Sequence, residues 1–292
     1  MRPRSSVRVV ETGDGLRVRW VPGSRLLVVG SVNGFLALVD GATGQVVRRL
    51  RGHRKDIYTP GISADGRLLV TGSDDKTVRF WSLPDGEARG APLRFRQRVQ
   101  DVQLSPDGRW VTVVLPDASF ERATVEVWDA RSRRRVRSVQ LANVTAFARF
   151  SPDGRFLALG NRFGQAQVWS TANWKPLTRW LTGDAGGIIT GQFSPDGDTL
   201  ATGSDTGNVQ LWDIESGQAV GPPLPGGTRT GVLPYFTPDG NGLIASYASG
   251  RAIMWDIRTA SLTRHACEVA GRQLTRAEWA EHLPGREYDP AC

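Results

Sequence analysis

Cysteine is nearly absent from this chain of 292 residues: Cys267 and Cys292 are the only two, both beyond residue 260. No disulfide framework can therefore organise its main body. Histidine is as scarce, with His53, His265 and His282 alone, which leaves the body one imidazole for metal binding or proton transfer. Lysine occurs only at Lys55, Lys76 and Lys175, and no G-x-x-x-x-G-K-[ST] segment is found, so a phosphate-cradling nucleotide loop is excluded. No apolar run approaches the roughly eighteen residues that span a bilayer. The opening "MRPRSSVRVV" lacks the apolar core of an export signal. These absences lead to the expectation of a soluble, cytoplasmic chain.

What the sequence has in abundance is one turn. It stands as "SADG" at Ser63–Gly66, as "SPDG" at Ser105–Gly108, Ser151–Gly154 and Ser194–Gly197, as "TPDG" at Thr237–Gly240, and more weakly as "VPGS" at Val21–Ser24. Proline pre-sets φ and glycine accepts positive φ, so these residues suit a tight link between antiparallel strands. Val39, Trp81, Trp169, Trp212 and Trp255 each lie 18 residues after the first residue of their turn, and Trp128 lies 23 after its own. Between turn and tryptophan run two short alternating segments, such as "RLLVTGS" and "TVRFW", and period-two alternation between turn residues reads as strands. Similar runs precede each turn and follow each tryptophan. Four strands in about 43 residues is one blade of a β-propeller.

On these residues the chain resembles the WD-repeat family, whose unit runs Gly-His, turn, Trp-Asp. The resemblance covers about residues 6–258, and the second copy carries the whole pattern in Gly52-His53, Thr71, Asp75 and Trp81. It implies a buried hydrogen-bonded tetrad of His53, Thr71, Asp75 and Trp81. The other copies depart, with Asn33, Phe163, Thr206 and Ser249 at the Asp position and no matching His. The expected fold is all-β: a six-bladed propeller over residues 1–260, with Ser6–Val10 completing the last blade and closing the ring. A helical tail is expected over residues 261–292, with helices at 261–270 and Arg276–His282, the second opened by a capping box at Thr275 and Glu278. The tail is similar to one that ends actinobacterial multidomain signalling proteins, in which a WD-repeat region follows an ATPase or kinase module. Cys267 and Cys292 admit three states, a disulfide, two thiols, or zinc ligation together with His265 and His282. The zinc state matches no familiar module spacing.

Little chemistry is left over. His53 is absorbed by the tetrad, and Asp65, Asp107, Asp153, Asp196 and Asp239 recur at one position of every turn, as architecture does and an active site does not. The expectation is no enzyme and no cofactor, but a monomeric interaction scaffold or sensor module that binds a protein partner, or a neighbouring domain of a longer chain, across one face. The positions expected there are Lys55, Tyr58, Asp74, Arg98, Phe120, Arg162, Phe163, Asp184, Asp205 and Tyr247. Phe120 lies in an inserted segment, Leu115–Arg122, read as a long loop. The net charge of +8 comes almost wholly from arginine, in clusters at Arg48–Lys55, Arg94–Arg98 and Arg131–Arg137. They read as a solvated rim, with polyanion or nucleic-acid binding as the alternative.

Overall fold

The computed structural model describes residues 17–58, 60–119, 121–142, 145–183, 186–226, 230–258 and 275–282. The recurring turn sets the rhythm. At Ser63, the hydroxyl donates to Asp65 Oδ1 (2.6 Å) and accepts from the Leu68 N–H (3.0 Å), while Asp65 Oδ1 accepts the Arg67 N–H. The left-handed residue is Gly66, at φ 68°. The same bonds recur at Ser105, Ser151, Ser194 and Thr237. This accounts for the repeated aspartate: it accepts the hydroxyl and a backbone N–H, and its pKa falls below the usual carboxylate value at Asp65, Asp196 and Asp239, where the hydroxyl's hydrogen bond is the largest cause.

Six antiparallel sheets follow from six turns. Sheet one comprises Arg17–Trp20, Leu26–Gly30, Leu36–Asp40 and Val46–Arg49; sheet two Gly61–Ile62, Leu68–Gly72, Thr77–Ser82 and Glu87–Ala88, with Leu93–Arg94 also on its third strand. Sheet three comprises Asp101–Leu104, Trp110–Pro116, Arg122–Asp129 and Arg135–Ala142; sheet four Thr145–Phe150, Phe156–Asn161, Gln165–Ser170 and Lys175–Pro176, with Leu181–Thr182 on its third strand. Sheet five comprises Ile188–Phe193, Thr199–Ser204, Val209–Asp213 and Gln218–Ala219, and sheet six Val232–Phe236, Gly242–Tyr247 and Ala252–Asp256. The strands of each sheet pair in chain order.

The core lies between consecutive sheets. Val28, Leu36 and Leu38 of sheet one meet Leu69 and Trp81 of sheet two; Val70, Val78 and Phe80 meet Val102, Val111 and Val113; Val125 and Val127 meet Leu157 and Trp169. Ala158 and Val168 then meet Leu200 and Trp212, and Ala201 and Leu211 meet Val232 and Leu243. Each sheet thus turns a forward face to its successor and a back face, bearing the Trp position, to its predecessor.

One expectation changes. The segment Leu115–Arg122 is not a long loop: the strands of sheet three run to Pro116 and resume at Arg122, with Pro116 opposite Ala123. The extra residues lengthen a hairpin because alternating Val and Thr on both sides continue the ladder. Sheet six has three strands among the described residues, and Ser6–Val10, proposed to complete it, lies outside them, as do the helix expected at 261–270 and both cysteines. Helix Arg276–His282 is formed. Thr275 Oγ1 accepts the Glu278 N–H (3.3 Å) and Glu278 Oε2 accepts the Thr275 N–H (2.8 Å), the reciprocal bonds of a capping box. Among the described residues no helix is long and apolar enough to cross a membrane.

Candidate interaction face

In sheet two, Trp81 lies on the third strand and Thr71 on the second, and the indole Nε1–H donates to Thr71 Oγ1 (2.9 Å). His53 Nε2 lies 2.8 Å from the same hydroxyl, and Nδ1 lies 3.0 Å from Asp75 Oδ2. The roles are consistent if Nδ1–H donates to the carboxylate and the Thr71 hydroxyl donates to Nε2, which makes the imidazole neutral. Thr77 Oγ1–H donates to Asp75 Oδ1 (2.6 Å) and the Arg54 N–H to Oδ2 (3.1 Å). Burial pulls the His53 pKa below its usual value, opposed by Asp75. Burial pulls Asp75 up, but hydrogen bonds from Thr77 and His53 outweigh it, so its carboxyl titrates below the usual range.

The other sheets keep parts of this network. In sheet five Trp212 Nε1–H still donates to Thr202 Oγ1 (2.9 Å), while Thr206 stands at the aspartate position, 2.6 Å from Ser204 Oγ. With no imidazole there, a cavity of about 10 Å³ remains between Gly183, Gly186, Thr202, Ser204 and Asn208. In sheet three Trp128 Nε1–H donates to Glu126 Oε2, and Arg135 pairs with Oε1 of the same carboxylate. In sheet four the buried Trp169 Nε1 has no partner.

The loops that hold the tetrad join sheet to sheet. Asn33, in the turn of sheet one, donates its N–H to Asp56 Oδ1 in the loop leading into sheet two, and Val99 and Arg98, leading into sheet three, reach Ser73 and Asp74 in the turn of sheet two. In sheets five and six the turn bonds the leading loop of its own sheet, Asp205 N–H donating to Gly187 O and Ala248 N–H to Gly231 O. Lys55, Arg162, Phe163 and Asp205 are exposed on these loops, Phe163 at 66%. Tyr58, Asp74 and Arg98 are half-buried and close together: Arg98 Nη1 lies 3.8 Å from Asp74 Oδ2, and burial and then the charge of Asp74 push the Tyr58 phenol above its usual pKa. Phe120 and Asp184 lie outside the described residues. Tyr247 is a correction. It is 5% exposed and packs with Ala201, Val209 and Leu211 between sheets five and six, because it occupies the position of Ser73 on an inward-facing register.

One charged group escaped the sequence reading. Arg149 Nη1 pairs with Asp101 Oδ2 at 3.0 Å, and burial, then the charge of Arg149, lower the pKa of Arg19, on which Asp101 and Tyr235 also act. These four residues come from the first strands of sheets four, three, one and six. Only the convergence of those strands shows it.

Repeated antiparallel sheets, one of them fixed by a complete Trp–Thr–His–Asp network, are the features of WD repeats, and part of the chain matches that repeat. Residues 44–82 and 174–213 match the WD domain, G-beta repeat. The chain is similar to THO complex subunit 3 of Arabidopsis thaliana (31% identity over 134 residues, 45% of this chain and 42% of that protein) and to Pre-mRNA-processing factor 19 homolog 2 of the same plant (30% over 207 residues, 56% and 39%). It is also similar to mouse NACHT domain- and WD repeat-containing protein 1 (28% over 163 residues, 53% and 10%). The chain spans less than half the length of each.

Proposed function

We propose that the six sheets are blades standing about one axis, formed by residues 1–260 with a helical tail over 261–292, and that the loop side of this body is a non-catalytic docking face for a protein partner. The observation that carries this reading is the bonding of the loops on one side of the body, in which the turns of sheets one and two bond the leading loops of sheets two and three, and loops there present Lys55, Arg162, Phe163 and Asp205 to solvent. A rigid scaffold with side chains displayed on loops suits recognition, and an exposed aromatic beside arginine suits an interface anchor. Two relatives bear the names of a complex subunit and a processing factor, which favours assembly over turnover. The mouse relative pairs WD repeats with a NACHT domain by name, which favours a module of a larger chain. The test is co-purification from source cells with the chain and with its Lys55→Glu/Arg162→Glu/Phe163→Ala variant. The variant is expected to keep its melting temperature and lose the partners. Retention of every partner removes the face.

A separate observation favours polyanion binding. Residues 17–142 hold 22 basic against 13 acidic side chains, and residues 145–258 hold 8 against 9. The basic excess is drawn together on the outer edges of sheets one to three, where Arg48 meets Glu87 and Arg133 Nη2 donates to Arg89 O. Arg133 is held down to about 10, by burial first and then by the neighbouring charge of Arg89. Arginine forks suit phosphate oxygens. If phosphates are bound there, affinity for duplex DNA falls by about 0.9 log units per log unit of salt for each contact, and Arg49→Glu/Arg134→Glu flattens that slope. Affinity without salt dependence dismisses the reading.

A further inference from the structure

The six first strands share a register. Each places one residue opposite the middle of its second strand: Arg19 across from Val28, Gly61 from Val70, Gln103 from Thr112, Arg149 from Ala158, Gln192 from Ala201 and Tyr235 from Ile244. From sheet two to sheet six these strands pack against one another in succession. Asp101, two residues before Gln103, lies on the same face of its strand, and its carboxylate is engaged at both oxygens. Arg149 Nη1 donates to Oδ2 at 3.0 Å, and Gln103 Nε2 donates to Oδ1 at 3.2 Å. The donors around it are not used up. Arg149 Nη1 also reaches Ala148 O, but its Nε and Nη2 have no hydrogen-bond partner among the described residues, and neither the Arg19 guanidinium nor the Tyr235 hydroxyl has one. Arg19 is half-buried. Its pKa is lowered by burial first and then by the charge of Arg149, while Asp101 and Tyr235 act the other way, so its guanidinium sits among these groups.

We propose that this group is a binding site for a small tetrahedral oxyanion of the phosphate type, held between the guanidinium forks of Arg19 and Arg149 with the Tyr235 hydroxyl as a further donor. The inference rests on the reading of the sheets as blades about one axis. In that arrangement sheets one and four, three apart in a run of six, face each other across the centre. Two guanidinium groups against one carboxylate leave a positive charge and a surplus of N–H and O–H donors in a half-buried place, where unpaired donors are costly. A metal cation would meet only a carboxylate already engaged. An apolar ligand would leave the donors bare. A planar carboxylate presents both oxygens to a single fork, whereas a tetrahedral anion has oxygens for each of two forks on opposite sides. The Arg149 side chain is 27% exposed and Tyr235 half exposed, which leaves a small ion a way in.

The test is calorimetric titration of the chain with inorganic phosphate and, separately, with O-phosphoserine. Binding of phosphate alone supports the site with a free ion as its ligand, and binding of the ester, with or without the free ion, supports it with a phosphoryl group carried on a larger molecule. Arg19→Gln is expected to weaken binding about tenfold, and Asp101→Asn, which frees Arg149, to tighten it about threefold, both with melting transitions that show a folded chain. Arg49→Glu/Arg134→Glu, on the outer edges, is expected to leave the affinity unchanged. Failure of both probes to bind, equal affinities in the parent, Arg19→Gln and Asp101→Asn chains, or loss of binding in the outer-edge variant overturns the inference. A second measurement isolates the underlying reading. Arg19→Cys/Arg149→Cys in a Cys267→Ser/Cys292→Ser background, treated with a flexible bis-maleimide, is expected to take up one reagent molecule as a bridge within the monomer, read by intact mass. Bridging without anion binding overturns the site alone, whereas two separate adducts dismiss the arrangement of blades about one axis.

Discussion

Replacing His53 by alanine is expected to lower the stability of the fold by about 3 kcal/mol near pH 7.5, measured by urea unfolding. The side chain is fully buried, so its loss leaves a cavity, and it strips Asp75, itself only a tenth exposed, of its imidazole donor. His53→Gln, which can still donate to the carboxylate, should recover part of the loss. The pH profile gives a second reading. Because the folded pKa of His53 lies below its usual 6.5, the unfolded chain takes up the proton first as pH falls. The imidazole's contribution is therefore complete above about pH 6.5 and is lost on acidification from there down through the folded pKa. His53→Ala should be flat across this window. Both proteins should then weaken below about pH 4, as Asp75, Asp65, Asp196 and Asp239, all with lowered pKa values, are protonated. A loss under 1 kcal/mol, or an unchanged profile, would mean that the network does not anchor sheet two.

The second large effect is expected at Gly191. The ring of Phe147, 2% exposed, lies between two glycines, Gly160 of its own sheet and Gly191 of the next. A Cβ on Gly191 would stand 2.5 Å from Cε2 of the ring, and a Cβ on Gly160 would stand 2.6 Å from Cδ1. The ring cannot retreat from one without striking the other. Gly191→Ala should therefore cost about 3 kcal/mol by overpacking. Phe147→Leu shortens the wedge, so the double variant should be more stable than the sum of the single losses by at least about 1 kcal/mol. Strict additivity would show that the backbone yields instead.

The features legible in the sequence were those in which one residue type at a fixed spacing does one local job. The Ser-x-Asp-Gly turn bonds within itself, and the Trp and Thr of the tetrad sit on paired strands whose register follows from the turn. His53 and Asp75 add the two loops that the Gly-His and turn spacings mark. The exposed loop positions were legible only as loop positions. Tyr247 aligned with a turn yet points inward, because the last residue of a strand belongs to one face or the other by parity, and a bulky phenol there needed the small residues of sheet five opposite it. The Phe147 wedge and the Arg19–Asp101–Arg149 group were not legible. Both depend on which surfaces meet across separate sheets, and no spacing along the chain encodes that.

Because the apolar core between described sheets is shared by consecutive ones, a packing defect is felt mainly by the adjoining sheet. That locality explains how sheet three can hold its indole with Glu126 and Arg135 while sheet four leaves Trp169 Nε1 unsatisfied and both still stack. It also makes the repeat a unit of inheritance. Copies can drift or be gained whole, provided that the two surfaces each shares with its neighbours still match.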